Sequence, residues 1–166
     1  MNILEPSGPE KPRVRVFIGL GSNLGDRQEN LQKALALLGG LPETRFLRCS
    51  SFIETLPVGN LDQPKFINAV AEIETSLEPL ELLKRLKGIE HSVGRKQTAR
   101  WGPRIIDLDV LLYGRLVLDS GALIIPHGQL ENRRFVLEGL LELDGGLINP
   151  RSGRPLAHVL RAMEDG

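Results

Sequence analysis

A chain of 166 residues, 41% of them apolar, is long enough to bury a core of its own. Its 21 basic side chains are matched by 21 acidic ones, a formal net charge of zero that argues against a dedicated nucleic-acid binder, since such proteins are basic overall. The single cysteine, Cys49, excludes an internal disulfide, and no apolar run is long enough to cross a bilayer. The opening stretch, with Pro6, Pro9 and Pro12 and no apolar segment, does not resemble a signal peptide, so a cytoplasmic protein is expected.

Residues 1–13 read as a polar, proline-punctuated arm, and 14–166 as one domain with no internal repeat or linker. A first strand is predicted over 14–20. It runs into Gly19-Leu20-Gly21-Ser22-Asn23-Leu24-Gly25, whose glycine spacing fits neither the dinucleotide fingerprint nor a P-loop. Tight-turn geometry explains these glycines as well as a phosphate does. Asp26 followed by Glu29 has the form of a capping box. It opens a helix over about 27–38, with Leu31, Ala34, Leu35 and Leu38 on one face. Gly39-Gly40 ends that helix.

A second strand is predicted over about 44–54, with Cys49 as a small buried apolar residue. The loop 55–64 is too long for a tight hairpin, and loops of that length often carry function. In the third strand, 66–74, Ile67, Ala69, Ala71 and Ile73 alternate onto a core face. Phe66 and Asn68 share the other face, where a ring and an amide could stack on a flat heterocycle and read its edge. A solvent-facing Phe beside a turn-capping Asn is the commoner meaning of that pattern. Pro79 opens a helix with Leu82, Leu83, Leu86, Ile89 and Val93 on its buried stripe. Glu90 lies at the edge of the stripe, where helix acids are usually solvated.

The stretch Gly94–Gly114 is the most informative. A basic lead-in with Arg95, Lys96, Arg100 and Arg104 reaches an Arg-Trp-Gly-Pro-Arg turn and then a strand over 105–113. Alternation puts Asp107 and Asp109 on one face, about 7 Å apart along the strand, and Ile106, Leu108, Val110 and Leu112 on the other. Two carboxylates on one face of an otherwise apolar strand need a cation between them. Either an Asp–Arg ion-pair network fixes the turn, or the pair holds magnesium together with substrate phosphates.

Beyond it, 116–118 suggests a short strand, Pro126-His127 opens a loop through Asn132-Arg133-Arg134-Phe135, and helices are predicted over about 136–143 and 155–163. His91 and His158 have no partner in the sequence and are expected at the surface. The order strand–helix–strand–strand–helix–strand, then helices, implies an α+β fold. The economical arrangement is a ferredoxin-like core, a mostly antiparallel sheet with helices packed on one face.

Four segments together resemble the 6-hydroxymethyl-7,8-dihydropterin pyrophosphokinase family of folate biosynthesis. They are IGLGSNLG from Ile18, ETLPVGNLDQPKFINAV from Glu54, RWGPRIIDLDVLLYG from Trp101 and its preceding Arg100, and the run from Pro126-His127 through NRRFVLEGL. The resemblance implies transfer of pyrophosphate from ATP to the hydroxymethyl oxygen of the pterin, with release of AMP. It gives Asp107 and Asp109 two Mg2+ ions that bridge the triphosphate. Arg95 and Arg104 match phosphate-engaging arginines, which with the two aspartates make up the implied catalytic set. Phe66 and Phe135 match rings that stack on the pterin, Asn68 the amide that reads its edge, and Thr55, Pro57 and Val58 the pocket wall. Trp101 matches a residue that seals the site. Glu90, Val110, His127 and Arg133 match positions on the ATP side. The charged segment 95–104 is expected to order over bound ATP as a lid. The family pattern commonly has proline where Leu56 stands, and an aromatic or a proline where Gly128 stands. The implied partners are small molecules only, without nucleic acid or membrane, and the implied state is a monomer, with a dimer left open. Two rivals remain at this point: a non-catalytic ferredoxin-like module that binds a small ligand, and an ordinary kinase that moves only the γ-phosphate.

Overall fold

The computed structural model describes residues 11–57, 62–94 and 103–165. Its centre is a five-stranded antiparallel sheet built from β1 (Val14–Ser22), β2 (Thr44–Cys49), β3 (Ile53–Thr55), β4 (Phe66–Thr75) and β5 (Asp107–Tyr113). The strand order is β2-β4-β1-β5, with β3 also paired to β4. A separate ribbon pairs β6 (Leu118–Asp119) with β7 (Ile124–Ile125). The ferredoxin-like α+β class expected from the element order is what the chain adopts.

Alternation along β1 divides the core in two. Val16, Ile18 and Leu20 point to one face with Ala69, Ala71 and Ile73 of β4, under α1 (Arg27–Gly39) and α2 (Pro79–Val93). Phe17 points to the other face with Val70 and Leu111, under α3 (Arg134–Leu143) and α4 (Leu156–Glu164). Helices therefore cover both faces of the sheet, where packing on one face was expected. The reason lies in β1 and β4, which are buried on both sides at Phe17 and Val70 as well as at Ile18 and Ala71. α3 comes unusually close at Gly139, where a methyl group would lie 2.6 Å from Cγ2 of Val70.

The helix caps follow local chemistry. Asp26 Oδ1 accepts the Glu29 N–H at 3.0 Å, as the capping pattern predicted, and the Glu29 carboxylate pairs with Lys33 one turn on at 3.4 Å. On the second face Glu72, 2% exposed, is neutralised by Arg48 at 2.6 Å and Arg15 at 3.7 Å. Arg15 also reaches Asp144 at the end of α3, at 2.6 Å, and so ties that helix to β1.

Two strand expectations are corrected. The single strand predicted over 44–54 is broken between β2 and β3, because Ser50 inserts its hydroxyl into the ladder. The Ser50 N–H donates to Val70 O at 2.8 Å, while Ser50 Oγ accepts the Val70 N–H at 2.8 Å in place of a backbone carbonyl. In β5 the register slips: Phe17 faces Leu112, but Ile18 faces Val110, so Leu111 is an extra residue. Leu111 and Leu112 consequently both enter the second cluster, and Leu112 does not share a face with Leu108 and Val110. Tyr113 returns to the first cluster and donates its hydroxyl to Leu77 O at 2.6 Å. Cys49 is half-buried, and its thiol is pushed up to about 11, by burial first and then by the Glu142 carboxylate. His91 and His158 are exposed. Among the described residues no helix is long and apolar enough to cross a membrane.

Candidate active site

Helices α3 and α4 cover only the half of the second face around Phe17, Val70 and Leu112. The other half carries Phe66 and Asn68 of β4, Gly19 and Gly21 of β1, and Asp107 and Asp109 of β5, and it opens into a cavity of about 270 Å³. That is near the lower end for sites that take a small organic ligand, about 300–1,000 Å³. Thr55, Phe66, Asn68, Arg104, Asp107, Asp109, His127, Arg133 and Phe135 all line it. These residues lie far apart in the chain, and three strands, two loops and the first turn of α3 converge to bring them together.

The floor is made of glycine. In the ladder Gly21 stands between Asn68 and Asp107, and Gly19 between Val70 and Asp109. A Cβ at Gly21 would lie 2.8 Å from Asn68 Oδ1, and one at Gly19 would lie 3.3 Å from Leu111 Cδ2. These two glycines are strand residues that keep the sheet surface bare, rather than turn residues. Gly25, at φ 73°, is the one that serves the turn.

On one side of the floor, Asn68 Nδ2 donates to Thr55 Oγ1 at 2.5 Å. This fixes the amide with its oxygen over Gly21, as an acceptor facing the cavity. Phe66 and Phe135, from β4 and from the first turn of α3, put two rings on the same cavity. Leu56, 69% exposed, adds an apolar rim that the sequence pattern did not mark.

On the other side, Asp107 and Asp109 share the cavity face as alternation predicted, with Arg104, Arg133 and His127 around them. Among the described residues Asp109 forms no ion pair with Arg104; Arg100 lies outside the described residues. The His127 N–H donates to the carbonyl of the bulge residue Leu111 at 3.0 Å, and His127 Nδ1 accepts the Gln129 N–H at 3.0 Å. The neutral ring therefore carries its hydrogen on Nε2. Burial lowers the pKa of His127; the Asp109 carboxylate opposes this, and Arg133 adds to it.

Three expected residues sit elsewhere. Pro57 is buried but does not line the cavity. The Val110 side chain is in the first core cluster, on the far face of the sheet, and does not line the cavity. Glu90 is 6% exposed, not solvated, and its Oε2 accepts the Leu108 N–H at 2.8 Å. It secures the free edge of β5 between the two aspartates. Val58, Arg95 and Trp101, with most of the 95–104 segment, lie outside the described residues.

Sequence reasoning missed Asn23, which is 1% exposed and does not line the cavity. Its backbone N–H donates to Arg104 O at 2.9 Å, and its Oδ1 accepts the Arg104 N–H at 2.7 Å. Its Nδ2 donates to Gln63 Oε1 at 3.1 Å and Pro64 O at 3.2 Å. The signals for it were its place in the family-like segment IGLGSNLG and an amide directly after a strand, which a turn explains equally well.

Known proteins match this chain in sequence and in fold. Residues 17–145 match the family 7,8-dihydro-6-hydroxymethylpterin-pyrophosphokinase (HPPK). The 2-amino-4-hydroxy-6-hydroxymethyldihydropteridine pyrophosphokinase of Haemophilus influenzae is 44% identical over 139 residues, covering 84% of this chain and 87% of its own. The protein of the same name from Pseudomonas aeruginosa is 45% identical over 148 residues, covering 89% of this chain and 91% of its own. Among solved structures, an HPPK-DHPS protein in complex with substrates superposes with a TM-score of 0.72 at 12% identity, over 93% of this chain and 44% of that one. Wild-type Plasmodium falciparum HPPK-DHPS with STZ-DHP gives 0.70 at 15%, over 94% of this chain and 42% of that one. This chain thus spans less than half of either solved chain, and at those identities the likeness establishes the fold. The matches to residues 17–145 and to two relatives of nearly the same extent establish more: this chain belongs to the 7,8-dihydro-6-hydroxymethylpterin-pyrophosphokinase family and is a transferase of the pyrophosphokinase class.

Proposed function

We propose that the chain carries out the pyrophosphokinase step of folate biosynthesis, moving pyrophosphate from ATP to the hydroxymethyl group of 6-hydroxymethyl-7,8-dihydropterin and releasing AMP. The observation that carries this reading is the single cavity with an aromatic, amide-bearing end at Phe66, Phe135 and Asn68 and a charged end at Asp107, Asp109, Arg104 and Arg133. A flat heterocycle suits the first end and a polyphosphate the second, and the two ends flank the glycines of β1 on β4 and β5 of one sheet.

At the pterin end, Phe66 and Phe135 supply ring faces and Asn68 Oδ1 supplies an acceptor for the heterocycle's N–H donors. At the phosphate end, Arg104 and Arg133 supply positive charge, and His127 offers an Nε2–H. Transfer of this kind depends on in-line positioning and charge stabilisation more than on a strong base, and the cavity holds no evident base for the alcohol.

Magnesium fits the donor set. Among the described residues no group of three or more His, Cys, Asp or Glu could cage an ion, but two carboxylates two apart on a strand face a bare glycine floor. Mg2+ is commonly held in that way, by one or two carboxylates with the remaining positions left to water and substrate phosphates. Asp107 and Asp109 would hold two such ions, which when bound neutralise charge on the triphosphate. The reading takes residues 14–166 as one catalytic domain after an arm at 1–13, because both core clusters share the same strands. It assigns Val58 to the pterin wall, Trp101 to the pterin side as the residue that seals the site, and Arg95 to the phosphates. Both substrates are small and water-soluble, which suits a cytoplasmic monomer or dimer that needs neither nucleic acid nor membrane.

The test is turnover with the hydroxymethyl dihydropterin, ATP and MgCl2, with nucleotide products resolved. AMP in proportion to pterin diphosphate is expected. ADP would establish simple γ-phosphoryl transfer, and metal-independent nucleotide binding without turnover would establish a binding module.

A further inference from the structure

The segment that reaches the pterin end of the cavity and the segment that reaches its phosphate end touch a common residue that lines neither. Pro64 lies two residues before Phe66, and Arg104 three before Asp107. Asn23 bonds both. Its amide nitrogen donates to Gln63 Oε1 and Pro64 O, and its amide oxygen accepts the Arg104 N–H. A second bond, from the Asn23 N–H to Arg104 O, makes the Arg104 attachment two-point. Every hydrogen-bonding atom of this buried side chain is engaged, so neither neighbour can shift without breaking a bond to a group removed from water.

We propose that Asn23 is a positioning residue that couples the two halves of the active site: occupancy of the phosphate end, by fixing the Arg104 segment, sets the place of the 62–64 segment that leads into Phe66, and the reverse holds by linkage. This rests on the assignment of the two ends to nucleotide and pterin. Asparagine suits the task because it offers two donors and an acceptor on one rigid plane. Aspartate would keep the acceptor for Arg104 but lose both donors. Alanine would lose every side-chain bond and keep only the backbone N–H to Arg104 O.

The experiment measures the Kd of 6-hydroxymethylpterin, by its fluorescence, with and without saturating α,β-methylene-ATP and MgCl2, and takes the ratio. The wild type should show a ratio of about tenfold, within the usual range for coupled sites. Asn23→Ala should bring it to about twofold or less, in line with the loss of the bonds that join the segments. Asn23→Asp should raise KM for the pterin several-fold while leaving KM for ATP near the wild-type value. Gln63→Ala, at a half-buried position with little bearing on folding, should lower the ratio to about threefold and serves if Asn23→Ala does not fold. A residue with a merely structural role would lower the melting temperature and leave the ratio of the folded protein unchanged. That result in Gln63→Ala and Asn23→Asp overturns the proposal, as does a wild-type ratio of one. A wild type that binds neither ligand overturns the functional reading and this proposal with it.

Discussion

Gly21 faces Asn68 across the β1–β4 ladder so closely that a methyl group on the glycine would sit 2.8 Å from the asparagine's Oδ1. The backbone there is ordinary strand, so the missing side chain is a matter of space and not of conformation.

Gly21→Ala should therefore fold normally and injure recognition. The added carbon displaces the Asn68 oxygen from its place over the floor, and loss of one well-made hydrogen bond is about 1–1.5 kcal/mol, close to a factor of ten. Pterin KM should rise about tenfold with ATP KM little changed. Equal increases in both would mean that the glycine serves the whole cavity and not the amide.

Asp109→Ala and Asp107→Ala should each reduce kcat about a thousandfold or more, since several kcal/mol of charge stabilisation depends on a held cation. Asp109 is exposed, and the buried faces of β5 at Leu108 and Val110 are untouched, so denaturant unfolding should move by no more than about 0.5 kcal/mol. Unfolding of both variants would instead support a purely structural ion-pair network.

Phe135 sits in the first turn of α3 and lines the same cavity as Phe66. Its replacement by alanine should weaken pterin binding by about 1–2 kcal/mol of stacking and burial. Nucleotide binding should hardly respond. Calorimetry with each ligand separately decides, and matched losses would remove the stacking role.

Glu90→Ala should leave the Leu108 N–H without its acceptor at the edge of β5, which destabilises by about 1–3 kcal/mol. Glu90→Gln keeps an acceptor oxygen and should recover most of that loss in urea unfolding. If instead Gln and Ala behave alike in stability and both raise ATP KM, Glu90 acts on the nucleotide through its charge.

The pH dependence of His127 has a definite sign. Burial holds its folded pKa below that of the unfolded ring, so on acidification the unfolded chain takes up the proton first. Stability is present above the unfolded value, about 6.5, and is lost as pH falls through the lowered folded value. One proton can give a slope of at most about 1.4 kcal/mol per pH unit. His127→Gln should flatten the part of the curve that lies below the unfolded value, about 6.5. Parallel curves for wild type and variant would show that another group titrates.

Much of this arrangement could be read from residue order because it depends on local periodicity. Asp107 and Asp109 share a face for the same reason that Phe66 and Asn68 do, and period-two alternation predicts both. What escaped depended on partners distant in the chain. Glu90 reads as a solvated helix residue until the edge of β5 is seen to need an acceptor there. Ser50 breaks a strand because its hydroxyl finds Val70 in another. Asn23 became visible only when loops 41 and 81 residues away met at its side chain. Gly19 and Gly21 were within reach: their spacing by two, opposite Ile18 and Leu20, already marks one empty face of a strand.

The extra residue at Leu111 separates β5 into two independently phased pieces. Ahead of it the acids keep step with the glycines of β1, and behind it Tyr113 turns to the opposite side to meet Leu77. Deleting Leu111 would restore an unbroken ladder, with Val110 still opposite Ile18, Leu112 opposite Phe17 and Tyr113 opposite Val16, so both ends of the strand would keep their faces. The inserted side chain thus adds bulk to the second core cluster without moving the acidic end of the strand.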